Sequence, residues 1–452
     1  MTYHMNDSQI LLTIIKHLKE MKKNDFRNLI DELQPYDIAK IYSDLPEKHR
    51  QKFLLFLEPQ QIADLIQELD SKYQHEILMR LGIEKSSSIM DLMDNDDLAD
   101  LLSQLSVEKL KEYLTAMESE ESLTVQNLMK YPPDTAGGLM TNRFIWIRSS
   151  YSVREAVEKF KAFAQFAETI YYLYVLNENK ELVGVVSFRD LLISEANDKI
   201  EDIMFTRVIS VTVDMDQEEV ANTIQKYDFI AIPVVDDNNV IVGIITVDDV
   251  IDIVIQEANE DIQKLSAGGK DIDFDTKAHI AAFRRLPWLI FLLLIGLLSA
   301  NIISNFEYTL DTVVALSFFM TMITGMTGNT GTQSLAVVVR GLASKDITKD
   351  RIYKLIFREL GVGLIIGITN GILIAVIAYI WQGSPMLGIV VGVSLFFSLI
   401  IGTLAGTIIP LILYYFKIDP AIASGPLITT LNDIFSLTVY FGLASLFLIY
   451  LI

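Results

Sequence analysis

Asp433 is the one charged side chain in residues 426–452, a stretch with the length and apolarity of a membrane-spanning helix. A carboxylate at the centre of a bilayer costs about 2.5–3.5 kcal/mol on insertion scales, so such a group faces a partner or a water path. Asn432 is its neighbour, Thr429 and Thr430 lie one turn before it, and Ser436 lies one turn after. That makes one polar stripe on a lipid-compatible helix. The stripe has two readings, an Asp paired to another helix for packing or a cation site in a pore. A second polar run, GMTGNTGTQS at 325–334, interrupts another apolar segment. Its glycines Gly325, Gly328 and Gly331 permit close backbone approach, or free carbonyls to line a water-filled path. Asn329, Thr330, Thr332 and Gln333 add neutral oxygens. With Asp433, these groups favour pore lining over packing alone.

Acids also recur outside the apolar segments. MDNDDLADLL at 93–102 puts Asp96 and Asp100 four residues apart on one helix face, with Asp97 beside them. One such face is ordinary solvated surface, but further clusters follow. Glu257, Glu260 and Asp261 fall within one helical turn. There they repel by a few tenths of a kcal/mol per pair unless a cation or a basic partner is present.

The composition divides the chain. Half of it is hydrophobic (51%), yet the formal net charge is −21. Residues 276–452 hold 10 Lys/Arg and 7 Asp/Glu, leaving 27 of the 37 basic and 51 of the 58 acidic residues in 1–275, a net −24. An acidic half of this kind repels nucleic acid and attracts cations. The absence of cysteine excludes disulfides, thiolate metal sites and cysteine catalysis, and five scattered histidines make no zinc cluster. No catalytic nucleophile, P-loop or phosphorylation motif is evident, which argues against an enzyme or a pump. The N-terminus has no signal-peptide pattern, which places it in the cytosol.

Four regions must position these groups. Residues 1–130 read as an acidic α-helical superhelix built on a recurring unit, DIAKIYSDL (37–45), QIADLIQEL (61–69) and DLADLLSQL (97–105). Residues 131–256 alternate strands and helices and contain a repeat: ELVGVVSFRDLL (181–192) matches VIVGIITVDDVI (240–251). Residues 257–283 form a connecting helix up to a glycine pair. Residues 284–452 hold five candidate spans, at about 286–303, 312–339, 360–381, 386–416 and from 426 onward. The glycines are expected to break the second span, and Gly402, Gly406 or Pro410 to kink the fourth. The loop 340–358 carries Arg340, Lys345, Lys349, Arg351, Lys354 and Arg358 and is expected in the cytosol, which puts the C-terminus outside.

In the repeat, a strand, a Gly turn, a second strand, Ser or Thr, and then Asp opening a helix resemble a tandem cystathionine-β-synthase-type (CBS) pair, an α/β fold. In that fold such residues often hold an adenine nucleotide such as ATP by its ribose. The resemblance then implies the pairs Ser187 with Asp190 and Thr246 with Asp249. The alternative is that these residues only cap helices.

Over nearly its whole length the chain resembles the MgtE family of magnesium channels. The motifs that carry this are YPPDTAGGLMT, QEANEDI, RRLPWL, GNTGTQSLAVVVRG and PLITTLNDIFSL. The resemblance implies a homodimer in the lipid bilayer with a pore between subunits and Asp433 as the central selectivity residue. It implies Mg2+-sensing acids at Asp96, Asp100, Asp216, Glu218, Asp228, Asp249, Glu257, Glu260 and Asp261. Mg2+ sheds its waters reluctantly, so two Asp433 carboxylates and the neutral groups of Gly328, Asn329, Thr429 and Asn432 suit a hydrated ion. The expected function is Mg2+ uptake, closed by cytosolic Mg2+. Two alternatives are transport of Mn2+, Co2+ or Ca2+, and a membrane-anchored nucleotide sensor that conducts nothing.

Overall fold

The computed structural model describes residues 6–164, 166–266, 272, 276–343 and 349–452, and the chain divides into two compact units, Met1–Ile255 and Gln256–Ile452. In the first unit, ten short helices, α1–α10, run between Asp7 and Leu128. The recurring sequence unit begins at the third residue of α3 (Pro35–Asp44), α5 (Pro59–Gln67) and α8 (Asn95–Ser103). In each, the same four positions are buried: Ile38, Ala39, Ile41 and Tyr42, then Ile62, Ala63, Leu65 and Ile66, then Leu98, Ala99, Leu101 and Leu102. Repeated burial of one stripe is what stacks the helices.

After α11 (Ala136–Leu139) the chain forms two three-stranded sheets. The first holds β1 (Trp146–Arg148), β2 (Tyr172–Leu176) and β3 (Leu182–Ser187), with α12 (Val153–Phe163), α13 (Phe188–Ile193) and α14 (Ile200–Ile203). The second holds β4 (Val211–Thr212), β5 (Ala231–Val235) and β6 (Ile241–Thr246), with α15 (Gln217–Tyr227) and α16 (Val247–Leu265). The registers coincide: Tyr172 pairs with Ser187 as Ala231 pairs with Thr246, and each central strand slips once, at Val175/Leu176 and Val234/Val235. The repeat glycines leave room for methionines, since a Cβ would lie 2.5 Å from Met204 Sδ at Gly184 and 2.7 Å from Met140 at Gly243.

The CBS region and the connecting helix share one element, because α16 continues unbroken to Leu265. The expected boundary at 256/257 falls inside it, and the glycine pair beyond it, Gly268 and Gly269, lies outside the described residues.

The second unit contains five long helices, α17 (Ala278–Asn305), α19 (Leu316–Ala343), α20 (Lys349–Gln382), α21 (Pro385–Tyr415) and α22 (Gly425–Leu446). Short helices α18 (Glu307–Thr312) and α23 (Leu448–Leu451) flank them. Among the described residues, α17, α20, α21 and α22 are long and apolar enough to cross a membrane. The polar run in α19 keeps it below that threshold of apolarity.

Two expectations are corrected. α19 is continuous, so Gly325, Gly328 and Gly331 do not break it. Gly328 and Gly331 instead make room for α22. α21 is one helix that carries Gly402, Gly406 and Pro410 inside it. Finally, Arg340 belongs to α19, and Lys349, Arg351, Lys354 and Arg358 to the first turns of α20 rather than to a loop, while Lys345 lies outside the described residues.

Candidate functional site

The polar centre of the second unit is a joint of α19, α21 and α22. Asn432 is fully buried and its Nδ2 donates to the Thr327 carbonyl at 3.2 Å. A Cβ on Gly331 would fall 2.1 Å from that Nδ2, and one on Gly406 would fall 2.1 Å from the Gly331 carbonyl. Gly328 receives the Thr429 methyl, where a Cβ would be 2.8 Å away. Gly328 and Asn432 thus hold helices together rather than facing solvent, although the Asn432 Oδ1 is buried without a partner. Thr429 is half-buried, with its hydroxyl 3.5 Å from that of Thr332. Asn329 is exposed.

Asp433 is half-buried on α22 and its carboxylate makes no hydrogen bond or ion pair among the described residues. An unpaired carboxylate on a span is the pattern of a group that meets a partner from outside the chain or a water path. A second membrane carboxylate escaped the sequence reading. Glu359 lies inside α20, is 5% exposed, and accepts from Ser334 Oγ of α19 at 2.9 Å. Its signal in the sequence is its place next to Arg358, where it stands at the end of the basic run 340–358.

In the first unit, α8 brings Asp96, Asp97 and Asp100 to the start of α16, where Asp249 stands, with Asp94 and Glu168 nearby. Burial, then the Asp97, Asp249 and Glu168 charges, pushes Asp96 well above the usual carboxylate range. Burial is also the leading cause at Asp97 and Glu168, each pushed up to about 7, at Asp249, pushed up to about 6, and at Asp100, which is raised. Asp97 has an exposed edge yet is walled in by protein, and Gln67 offsets part of its shift by donating to it at 2.8 Å. The Asp96 Oδ1 is buried without a partner. Glu168 was missed because it lies far from the other acids in sequence. Among the described residues no three acids or histidines converge closely enough to chelate an ion.

The other expected sensor acids are dispersed. Asp216 caps α15, accepting from Glu218 N at 2.9 Å, whereas Asp228 closes the far end of that helix. On α16, the cation beside Glu260 is Lys264, whose Nζ lies 2.8 Å from Glu260 and 2.6 Å from Asp419. Burial and then Asp419 raise the pKa of Asp261. Glu257 is half-buried on the same helix.

The two CBS copies differ chemically. Ser187 Oγ donates to Asp190 at 2.6 Å and accepts from Asp190 N at 3.1 Å, so the capping role is met. A cavity of about 350 Å³ is lined from both sheets, by Tyr172 and Val185 of the first and Ala231 and Pro233 of the second, with Arg207 and Phe229 among others. Thr246 donates to Asp249 in the equivalent place, but there the surroundings are the acidic basin.

A helical acidic region, a CBS-like pair of sheets and a set of long apolar helices define a multi-pass membrane protein with a further, mixed helical and sheet region. Models of known families agree in order along the chain: the MgtE intracellular N domain over 33–134, CBS domains over 136–196 and 200–256, and the MgtE divalent cation transporter domain over 320–443. The chain is 56% identical to the magnesium transporter MgtE of Bacillus subtilis, over 99% of both chains. It is 40% identical to that of Thermus thermophilus over 72% of each. The chain belongs to the MgtE family, whose members are transporters and not enzymes. Its fold matches the soluble part of a magnesium transporter, with 36% identity and a TM-score of 0.54 over 56% of this chain and 100% of that one. It also matches the cytosolic domain of the Mg2+ channel MgtE in complex with ATP, with 33% identity and a TM-score of 0.52 over 54% and 99%.

Proposed function

We propose that this chain conducts Mg2+ across a cell membrane as a homodimer and that Mg2+ gathered by its acidic half closes it. The observation that carries the reading is the half-buried, unpartnered carboxylate of Asp433 on an apolar helix. Two copies would place two such charges about one axis and grip the ion through its water, which avoids the cost of dehydrating it. Asn329 and Thr429 are the neutral groups near enough in sequence to the joint to bind that shell. The relatives named as magnesium transporters support the ion, while the family description as divalent cation transporters keeps Mn2+ and Co2+ as competitors. The basic start of α20 favours the cytosolic side for that end, with the N-terminus also inside and the C-terminus outside. An adenine nucleotide suits the cavity lined by Arg207, to which Tyr172, the strand partner of Ser187, and Ala231, the strand partner of Thr246, both contribute, as the ATP-bound neighbour suggests.

Flux into proteoliposomes tests the pore. Wild-type protein is expected to carry Mg2+, Asp433→Ala to lose at least about tenfold, and Asp433→Asn, which keeps an oxygen, to lose less. Undiminished Mg2+ flux through the alanine variant would sink the reading.

A further inference from the structure

α19 is the least lipid-compatible of the five long helices, yet it is held at three heights by hydrogen bonds. Tyr440 Oη of α22 donates to the Leu316 carbonyl at 2.7 Å, and Asn432 Nδ2 to the Thr327 carbonyl at 3.2 Å. The third bond runs from Ser334 Oγ to Glu359 Oε2 of α20 at 2.9 Å. At about 100° per residue, positions 316, 327 and 334 lie within about 20° of one another, on one stripe of the helix. Asn329 lies about 200° round from Thr327, and it is exposed where Thr327, Thr330 and Ser334 are buried.

The Ser334–Glu359 bond is built to persist. Both side chains are buried, at 4% and 5% exposure. The second oxygen of Glu359 accepts from Arg358 Nη2 at 2.8 Å and Nε at 3.1 Å, so the carboxylate is satisfied on both sides. Arg358 keeps 55% of its side chain exposed, so its charge reaches the surface while that of Glu359 stays inside. A charge-assisted bond of this kind is among the stronger side-chain contacts, and leaving a buried carboxylate half-satisfied is costly. The two bonds from α22 fix the upper two thirds of the stripe. The bond from α20 fixes its last third, beside the segment that joins the two helices.

We infer that Glu359 is a positioning residue for cation passage: through Ser334 it fixes the rotation of α19 and so aims Asn329 away from the anchored stripe. The inference rests on the pore reading above, and its test is separable from that reading. Full-length protein in proteoliposomes is compared as wild type, Ser334→Ala, Ser334→Thr, Asn329→Ala and the Ser334→Ala/Asn329→Ala double variant, each checked for wild-type elution in detergent. Ser334→Ala is expected to cut Mg2+ flux roughly tenfold and to lower the preference for Mg2+ over Ca2+, whereas Ser334→Thr, which keeps the hydroxyl, restores both. In the Asn329→Ala background the same Ser334→Ala change is expected to cost less than about twofold, because its effect passes through Asn329. Equal losses in both backgrounds, equal losses with Ala and Thr, or an Asn329→Ala variant that behaves as wild type would each overturn the inference. The Asp433→Ala result is untouched by these outcomes and judges the pore reading alone.

Discussion

Asp190 and Asp249 occupy the same place in the two CBS copies, and their surroundings separate them. The Arg207-lined cavity, where a guanidinium can meet a phosphate, is bordered by both sheets, and Asp190 is not among the acids whose charges act on the basin. Asp249 sits among Asp96, Asp97, Asp248 and Glu168, a field that opposes any polyanion. Asp190→Ala is therefore expected to weaken adenine-nucleotide binding by about tenfold or more, the scale of a lost charge-assisted hydrogen bond, while Asp249→Ala leaves it near wild type. Calorimetry on the detergent-solubilised chain decides this, and comparable losses in both variants would reverse the assignment. The sequence made the pair legible, because Ser187 and Thr246 align across the repeat. Asp248 beside Asp249 was visible in the sequence, but Asp96 and Asp97 come from α8, some 150 residues earlier, and Glu168 from a loop some 80 residues earlier, so the basin was not. Asn432 was legible as a polar group beside Asp433, but not that its Nδ2 would donate to the Thr327 carbonyl.

At the scale of elements, α16 and α19 show what periodicity reveals and what it leaves open. The acids Glu257, Glu260 and Asp261 called for a cation, and Lys264 stands one turn beyond Glu260, visible in the sequence. Asp419, its other partner, lies 155 residues away and is invisible there. That aspartate also caps the turn Pro420–Ile422 that leads into α22, accepting from Ala421 N at 2.8 Å. Lys264 therefore ties the end of α16 to the entry of α22, with Leu265 packed beside Ala421, Ala423 and Ile428. Lys264→Met leaves Glu260, Asp261 and Asp419 facing one another without their ammonium. All three of the paired groups are about a third exposed, so the loss is expected to be no more than about 1 kcal/mol. Hydrogen exchange over 256–265 should rise by up to about fivefold in low Mg2+ and fall back as Mg2+ is added. Unchanged exchange would mean that Leu265 packing alone holds the helix end. For α19, the glycines announced a special helix, but whether they break it or let a neighbour in depends on what stands opposite. Here that is Thr429 at Gly328 and Asn432 at Gly331.

Across the whole molecule, residues 1–275 carry a net charge of −24 and residues 276–452 are slightly basic. Such a half is poised on its counterions, and its acidic basin supplies a pH signature. Asp97 and Glu168 titrate near 7, Asp249 near 6, and Asp96 well above an ordinary carboxylate, all chiefly because of burial. Their unfolded values lie near 4, so between about pH 4 and 7 the folded state holds more protons than the unfolded one. The stabilising protons are all present below about pH 4 and are lost as pH rises through 6 to 7, so in the absence of divalent ions this region loosens towards pH 8. A cation that takes the place of those protons has most to contribute where they are absent. Exchange protection of α8 in the full-length protein is therefore expected to gain little from millimolar Mg2+ at pH 5.5 and several-fold at pH 8, with protons released on binding. Channels should correspondingly need less Mg2+ to close at pH 8 than at pH 6. Replacing Asp97 and Glu168 by Asn and Gln should flatten both pH dependences together, since those two groups titrate in the relevant window. If Mg2+ protected α8 equally at both pH values, or at neither, the basin would be solvated surface, and closure by Mg2+ would have to arise elsewhere in the chain.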